Sequence, residues 1–152
     1  MSQRPIYETE QDLASEREVA GMLAERFNCL FSKMPIRYNL DYALKKTDDR
    51  CIGYCEIKSR KYSMAEIDNF GGYLMSVGKW ASAKNLCESS CVPFLLAVRT
   101  TDGVWAAKFK PHTNDFRPDG VLVRGRKDRG DWQDVEPCVL LNVSRFKKFY
   151  DL

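Results

Sequence analysis

The chain of 152 residues contains one histidine, His112. A Ser-His-Asp or Cys-His arrangement would have to use that single ring, and a histidine-rich metal centre cannot be built at all. If the protein is an enzyme, carboxylates and lysines are the machinery that remains. Long apolar runs are also missing. The longest, residues 92–98 (VPFLLAV), falls far short of the roughly 20 residues that cross a bilayer, so no membrane partner is expected. The first ten residues are polar and soon acidic, unlike a secretory signal or an Arg-rich transit peptide. A reducing cytoplasm is the expected location, and there the six cysteines are expected as thiols rather than disulfides. Nor is there a strong charge of one sign. With 24 basic and 21 acidic residues the net charge is +3, so any contact with nucleic acid must come from a local patch.

What is present is enough for a core. Hydrophobic residues make up 44% of the chain, which excludes a wholly disordered protein. The length suits one domain, 1–152, with a core over about 9–110 and an extension over 111–152. No internal repeat or low-complexity segment interrupts it. Residues 9–27 carry apolar side chains at Leu13, Ala20, Leu23, Ala24 and Phe27, the rhythm of a helix with one buried face. Residues 36–44 alternate instead, with Ile36, Tyr38, Leu40, Tyr42 and Leu44 on one side and Arg37, Asn39, Asp41 and Ala43 on the other. That is a strand. Residues 46–50 (KTDDR) read as a turn, and 51–58 as a second strand. Ser63 and Glu66 form a capping box that opens a helix with Ile67, Phe70, Leu74, Val77 and Ala81 on one stripe, although Gly71, Gly72 and Gly78 weaken it. A buried strand over 92–99, a turn at 100–103, a strand over 104–109, and short strands at 121–123 and 139–143 follow. The expected class is α/β or α+β.

The two leading strands place chemistry together. In a tight antiparallel hairpin the numbers of paired residues have a constant sum. A turn centred between Asp48 and Asp49 therefore sets Asp41 across from Glu56. Lys58, two residues further, shares that face with Glu56 and Tyr54, while Cys55 and Ile57 face the other way. Two carboxylates and an ammonium in one place suit a hard divalent cation, which takes oxygen ligands and often needs only one or two from the protein. Arg60 and Lys61, just past the strand, are candidates for contact with flanking phosphates.

Helix, strand with Asp41, turn, strand with Glu56-Ile57-Lys58, helix, strand: this order resembles the PD-(D/E)XK nuclease superfamily, with its restriction-endonuclease-like fold, a central mixed sheet flanked by helices. Leu40-Asp41 stands at the PD position, with Leu40 in place of the name-giving proline, and Glu56-Ile57-Lys58 at (D/E)XK. The resemblance covers about residues 12–109. It implies Mg²⁺- or Mn²⁺-dependent hydrolysis of DNA phosphodiesters, endo- or exonucleolytic, in recombination, repair or phage DNA processing, in the host-cell cytoplasm if the gene is viral. It implies a metal held by Asp41, Glu56 and the backbone carbonyl of Ile57, sometimes with Glu16, and Lys58 assisting the attacking water. An acidic residue on the first helix belongs to the same pattern; Glu16 is the first choice and Glu18 the second. A polar or basic residue on the helix after the lysine corresponds to Lys79 or Lys84, which are otherwise ordinary surface lysines. A homodimer fits compact members that cut two strands.

Other readings stand beside this one. The pairs Cys51/Cys55 and Cys87/Cys91 offer four thiolates to zinc or an iron–sulfur cluster, or are buried thiols. The charged loop 124–136 and the basic end (Arg145, Lys147, Lys148, with Phe146 and Phe149) either touch nucleic acid or are a solvated loop and a packed end. The rival functions are a non-catalytic nucleic-acid-binding or assembly protein that keeps the fold, and an interaction module with no nucleic-acid role.

Overall fold

A computed structural model describes residues 10–35, 40–125 and 135–152. Helix α1 (Glu10–Phe27) has Glu10 and Asp12 in its first turn, where the helix dipole favours negative charge. Its buried residues are Glu16, Val19, Ala20 and Leu23, a stripe at the helical spacing in which one member is a carboxylate. Asn28, at φ 51°, ends the helix. The chain then enters β1 (Leu30–Lys33), a strand with no counterpart among the sequence expectations.

β1 pairs antiparallel with β2 (Tyr42–Lys45), and β2 with β3 (Cys51–Ser59). Tyr42 lies opposite Cys55, Ala43 opposite Tyr54 and Leu44 opposite Gly53, the register expected from the turn; a bulge at Leu44/Lys45 then shifts it by one. Asp49 takes a left-handed conformation in the turn, and the Asp48 carboxylate accepts the Arg50 N–H. The strand expected over 36–44 is shorter in the structure. It begins at Tyr42, Leu40 and Asp41 form a bend, and 36–39 lie outside the described residues. The bend also breaks the alternation: Leu40 packs with one core cluster and Tyr42 and Leu44 with the other.

The Ser63–Glu66 capping box is formed in both directions, at 3.1 and 3.0 Å. The helix it opens is not the long one expected. α2 (Met64–Asn69) stops after six residues, β4 (Tyr73–Ser76) follows, and α3 (Val77–Ser90) starts afresh with Ser76 as its cap. Gly71 and Gly72 sit at φ 105° and 132°, outside any right-handed helix. A side chain at Gly72 would begin 2.6 Å from the carbonyl oxygen of Leu141, so the turn requires glycine there.

β5 (Phe94–Arg99) runs parallel to β3, and β6 (Gly103–Phe109) antiparallel to β5. The six-stranded sheet has the order β1-β2-β3-β5-β6-β9, closed by β9 (Lys147–Asp151), which pairs antiparallel with β6. β4 joins a second sheet, β4-β8-β7, with β7 (Gly120–Gly125) and β8 (Val135–Leu141). Most of the charged loop expected over 124–136 lies outside the described residues. Each face of the main sheet is covered. On one side Val19, Ala20 and Leu23 of α1 pack on Cys55, Ile57 and Ala97; on the other Trp80 and Ala83 of α3 pack with Phe94, Leu96 and Val98. Double coverage explains why β5 is a continuous apolar run. It also separates the cysteines. Cys55 belongs to the α1 side and Cys87 to the α3 side, so the four-thiolate reading has no geometry to support it.

The basic end is bound up internally. Arg145 grips the Asp119 carboxylate through Nε (2.8 Å) and Nη2 (3.1 Å), and donates to the carbonyls of Asp115 (2.7 Å) and Arg117 (2.6 Å). Phe146 is buried, and Phe149 packs edge-on against Phe27. Arg145 therefore ties residues 115–119 to the chain before β9. The contact with Arg145 also holds the Asp119 carboxyl below the usual carboxylate range, so this stabilisation is complete above the unfolded-state pKa and is lost as the pH falls through the folded one. Replacement Arg145→Ala is expected to lower stability by about 2–4 kcal/mol, read as a lower urea midpoint at neutral pH with a smaller deficit at acid pH.

Candidate active site

Glu56 sits on β3, between β2 and β5, and its side chain is 1% exposed. A carboxylate this deep requires partners. Lys79, in the first turn of α3, places Nζ 3.0 Å from both Glu56 oxygens. Lys58 Nζ lies 4.0 Å from Oε1. The register of Tyr42 against Cys55, continued by one residue, sets Asp41 opposite Glu56. Asp41 Oδ2 accepts the Ile57 backbone N–H at 2.8 Å, which ties the bend before β2 to β3. Its Oδ1 is 3.6 Å from Lys33 Nζ on β1. Lys33 in turn forms an ion pair with Glu16 of α1, which is itself buried.

The electrostatics follow from these positions. The Glu56 carboxyl is pushed up from 4.5 to about 8, chiefly by burial; Lys79 and Lys58 pull it down, and the charge of Asp41 together with a side-chain hydrogen bond to it pushes it up again. Burial drives the Tyr42 hydroxyl to about 12, with Glu16 adding to the effect and Lys33 opposing it.

The structure thus brings Asp41, Glu56, Lys58 and Lys79 together around the middle of β3. Glu16 is linked to them through Lys33, which pairs with both Glu16 and Asp41. Glu18, the second choice on α1, is exposed and pairs with Arg99 instead. Arg60 lies just past β3, where it donates to the Tyr73 hydroxyl (3.1 Å) and stacks on its ring. Lys61 and Lys84 are exposed and make no contact with the carboxylates among the described residues. Sequence reasoning missed Lys33. Its strand has four residues and no strong alternation, and only the pairing of β1 with β2 carries it to Asp41.

The donors fit a hard divalent cation in kind. Two carboxylates lie close together, one of them buried and held above its usual pKa chiefly by that burial, and oxygen is the ligand such an ion prefers. Among the described residues no three acidic, thiol or imidazole side chains gather closely enough to hold a metal by themselves. Asp41 and Glu56 are the carboxylates brought together here, and further ligands would have to complete any shell.

A mixed sheet covered by helices, with Asp and Glu-x-Lys on neighbouring antiparallel segments at its centre, defines a restriction-endonuclease-like protein. The profile of the family described as "Phage putative PDDEXK endonuclease" matches residues 2–149, and the chain belongs to that family. No curated protein matches it.

Because folding holds Glu56 at about 8 and unfolding returns it to 4.5, its charge costs stability increasingly as pH rises between those values. In metal-free buffer containing EDTA, Glu56→Gln is expected to become more stable relative to wild type across that window. Thermal melts at several pH values check this; a constant difference from pH 4 to 8 contradicts it.

Proposed function

We propose that the protein is a divalent-cation-dependent deoxyribonuclease that hydrolyses DNA phosphodiester bonds in phage DNA processing, recombination or repair, in the cytoplasm of the host. The observation that carries this reading is the buried Glu56 facing Asp41, with Lys58 on the same face. Membership of a phage endonuclease family supports it.

Asp41 and Glu56, with the Ile57 carbonyl, would hold Mg²⁺ or Mn²⁺. When bound, such an ion polarises a phosphoryl oxygen and makes water more acidic. The remaining work falls to the chain. The Ile57 N–H and Lys33 hold the two Asp41 oxygens in fixed directions. Lys79 holds both oxygens of Glu56. Lys58, partly exposed at its head, orients the attacking water and offsets the negative charge that grows on the phosphoryl oxygens. Glu16 acts through Lys33 rather than on the substrate. Arg60 and Lys61 meet flanking phosphates, and a homodimer would supply one site per strand.

The opposing reading, a non-catalytic DNA-binding protein, has one observation in its favour: Lys79 and Lys33 already neutralise both carboxylates. Cleavage decides between them. Plasmid, single-stranded and branched DNA are incubated with wild type, Asp41→Ala and Lys58→Ala, with Mg²⁺, Mn²⁺ or EDTA. Metal-dependent cutting by wild type is expected, with a loss of roughly 10²–10⁴-fold in Lys58→Ala and no detectable cutting by Asp41→Ala. Binding without cutting under every condition, weakening steeply with salt, would favour the non-catalytic protein.

A further inference from the structure

Past the end of β3, where Arg60 follows Lys58 by two residues, is a concavity of about 410 Å³, within the range that takes small aromatic ligands. Its lining includes Arg60, Tyr62, Phe70, Tyr73 and Leu122. Two features set it apart from an ordinary surface dimple. Tyr62 and Phe70 stand edge to face, 5.0 Å between centroids, and are 43% and 65% exposed. Such a pair leaves aromatic surface open to solvent instead of in the core. The lining is also cationic, with the Arg60 guanidinium laid on the Tyr73 ring, 5.1 Å from its centroid, and bonded to its hydroxyl.

The position is as telling as the composition. Arg60 follows Lys58 by two residues at the end of β3, and Tyr73 begins the strand that leads through Ser76 into Lys79. The pocket therefore shares β3 with Glu56 and Lys58, and the β4–α3 segment with Lys79, which grips Glu56. A strand whose phosphate lay at Asp41 and Glu56 and which followed the end of β3 would pass Arg60 and the aromatic side chains that line the pocket with it. In a duplex that base is paired and stacked, and its faces are covered. An unpaired base presents both faces, and stacking on aromatic side chains beside arginine is how proteins hold single strands regardless of sequence.

From this placement we infer that the Tyr62–Phe70 pocket binds an unpaired nucleobase adjacent to the scissile phosphate, making DNA with single-stranded character (a flap, a frayed end or a branch) the preferred substrate. This deepens the nuclease reading and rests on it for the word scissile, but the pocket is tested without cleavage. In EDTA, fluorescence anisotropy measures the affinity of a fluorescein-labelled oligothymidylate and of the same strand annealed to its complement. Wild type is expected to favour the single strand. Phe70→Ala and Tyr62→Ala are expected to cut that preference roughly tenfold, Phe70→Trp to restore it, and abasic sites in the oligonucleotide to reproduce the loss with wild-type protein. Because both rings are exposed, melting temperatures should stay near wild type. An unchanged ratio of single-strand to duplex affinity in both alanine variants overturns the inference. A changed sedimentation coefficient with unchanged affinities overturns it in favour of self-association through this face. Failure of wild type to cut DNA with Mg²⁺ or Mn²⁺ would remove the nuclease reading and leave the measured preference standing.

Discussion

The structure turns on a carboxylate almost wholly withdrawn from the surface. Glu56 projects from a strand with neighbours on both edges and packed layers on both faces. Ionised in such a place, it depends on the ammonium groups of Lys79 and Lys58, and it faces the like charge of Asp41. Replacing this arrangement by apolar residues of similar volume would generally cost a fold nothing and often help it. Its presence is therefore poorly explained as a means of stability and better explained as a site, since strongly perturbed ionisable groups gather at sites.

The supporting elements can be understood as ways of fixing that pair. α1 presents Glu16 on its buried stripe, and Lys33 of β1 transmits its charge to Asp41. The short α2, the glycine turn and β4 carry the chain to Ser76, whose cap starts α3 with Lys79 three residues on. The second sheet anchors this excursion through β4 and β8. Much of the rest of the chain thus serves to hold Asp41, Glu56 and Lys79 in place.

How much of this could be read from the sequence divides by range. The pairing of Tyr42 with Cys55 was legible because a tight turn makes register a matter of arithmetic, and Asp48 and Asp49 mark the turn. The amphipathic stripe of α1 was legible for the same local reason. Residues 67–81 misled because Ile67, Phe70, Leu74, Val77 and Ala81 satisfy the helical period by spacing alone. The glycines at 71 and 72 were visible, but the close approach of Leu141 that demands glycine is set from 69 residues away in the chain. β1 and Lys33 were missed because four residues carry too little pattern. Lys79 was recognised as a candidate, yet its grip on Glu56 depends on where α3 restarts.

The last strand has a consequence for biosynthesis. β9 occupies the edge of the main sheet against β6, and the Tyr150 hydroxyl donates to the Met22 carbonyl across 128 positions of sequence. A nascent chain still lacking this segment presents β6 as an open edge, with unpaired amides and carbonyls ready to recruit another chain. The polymer of amino acids can settle into its finished shape only after release of that segment from the ribosome, so the time between synthesis of β6 and of β9 is the interval in which misassembly is most costly.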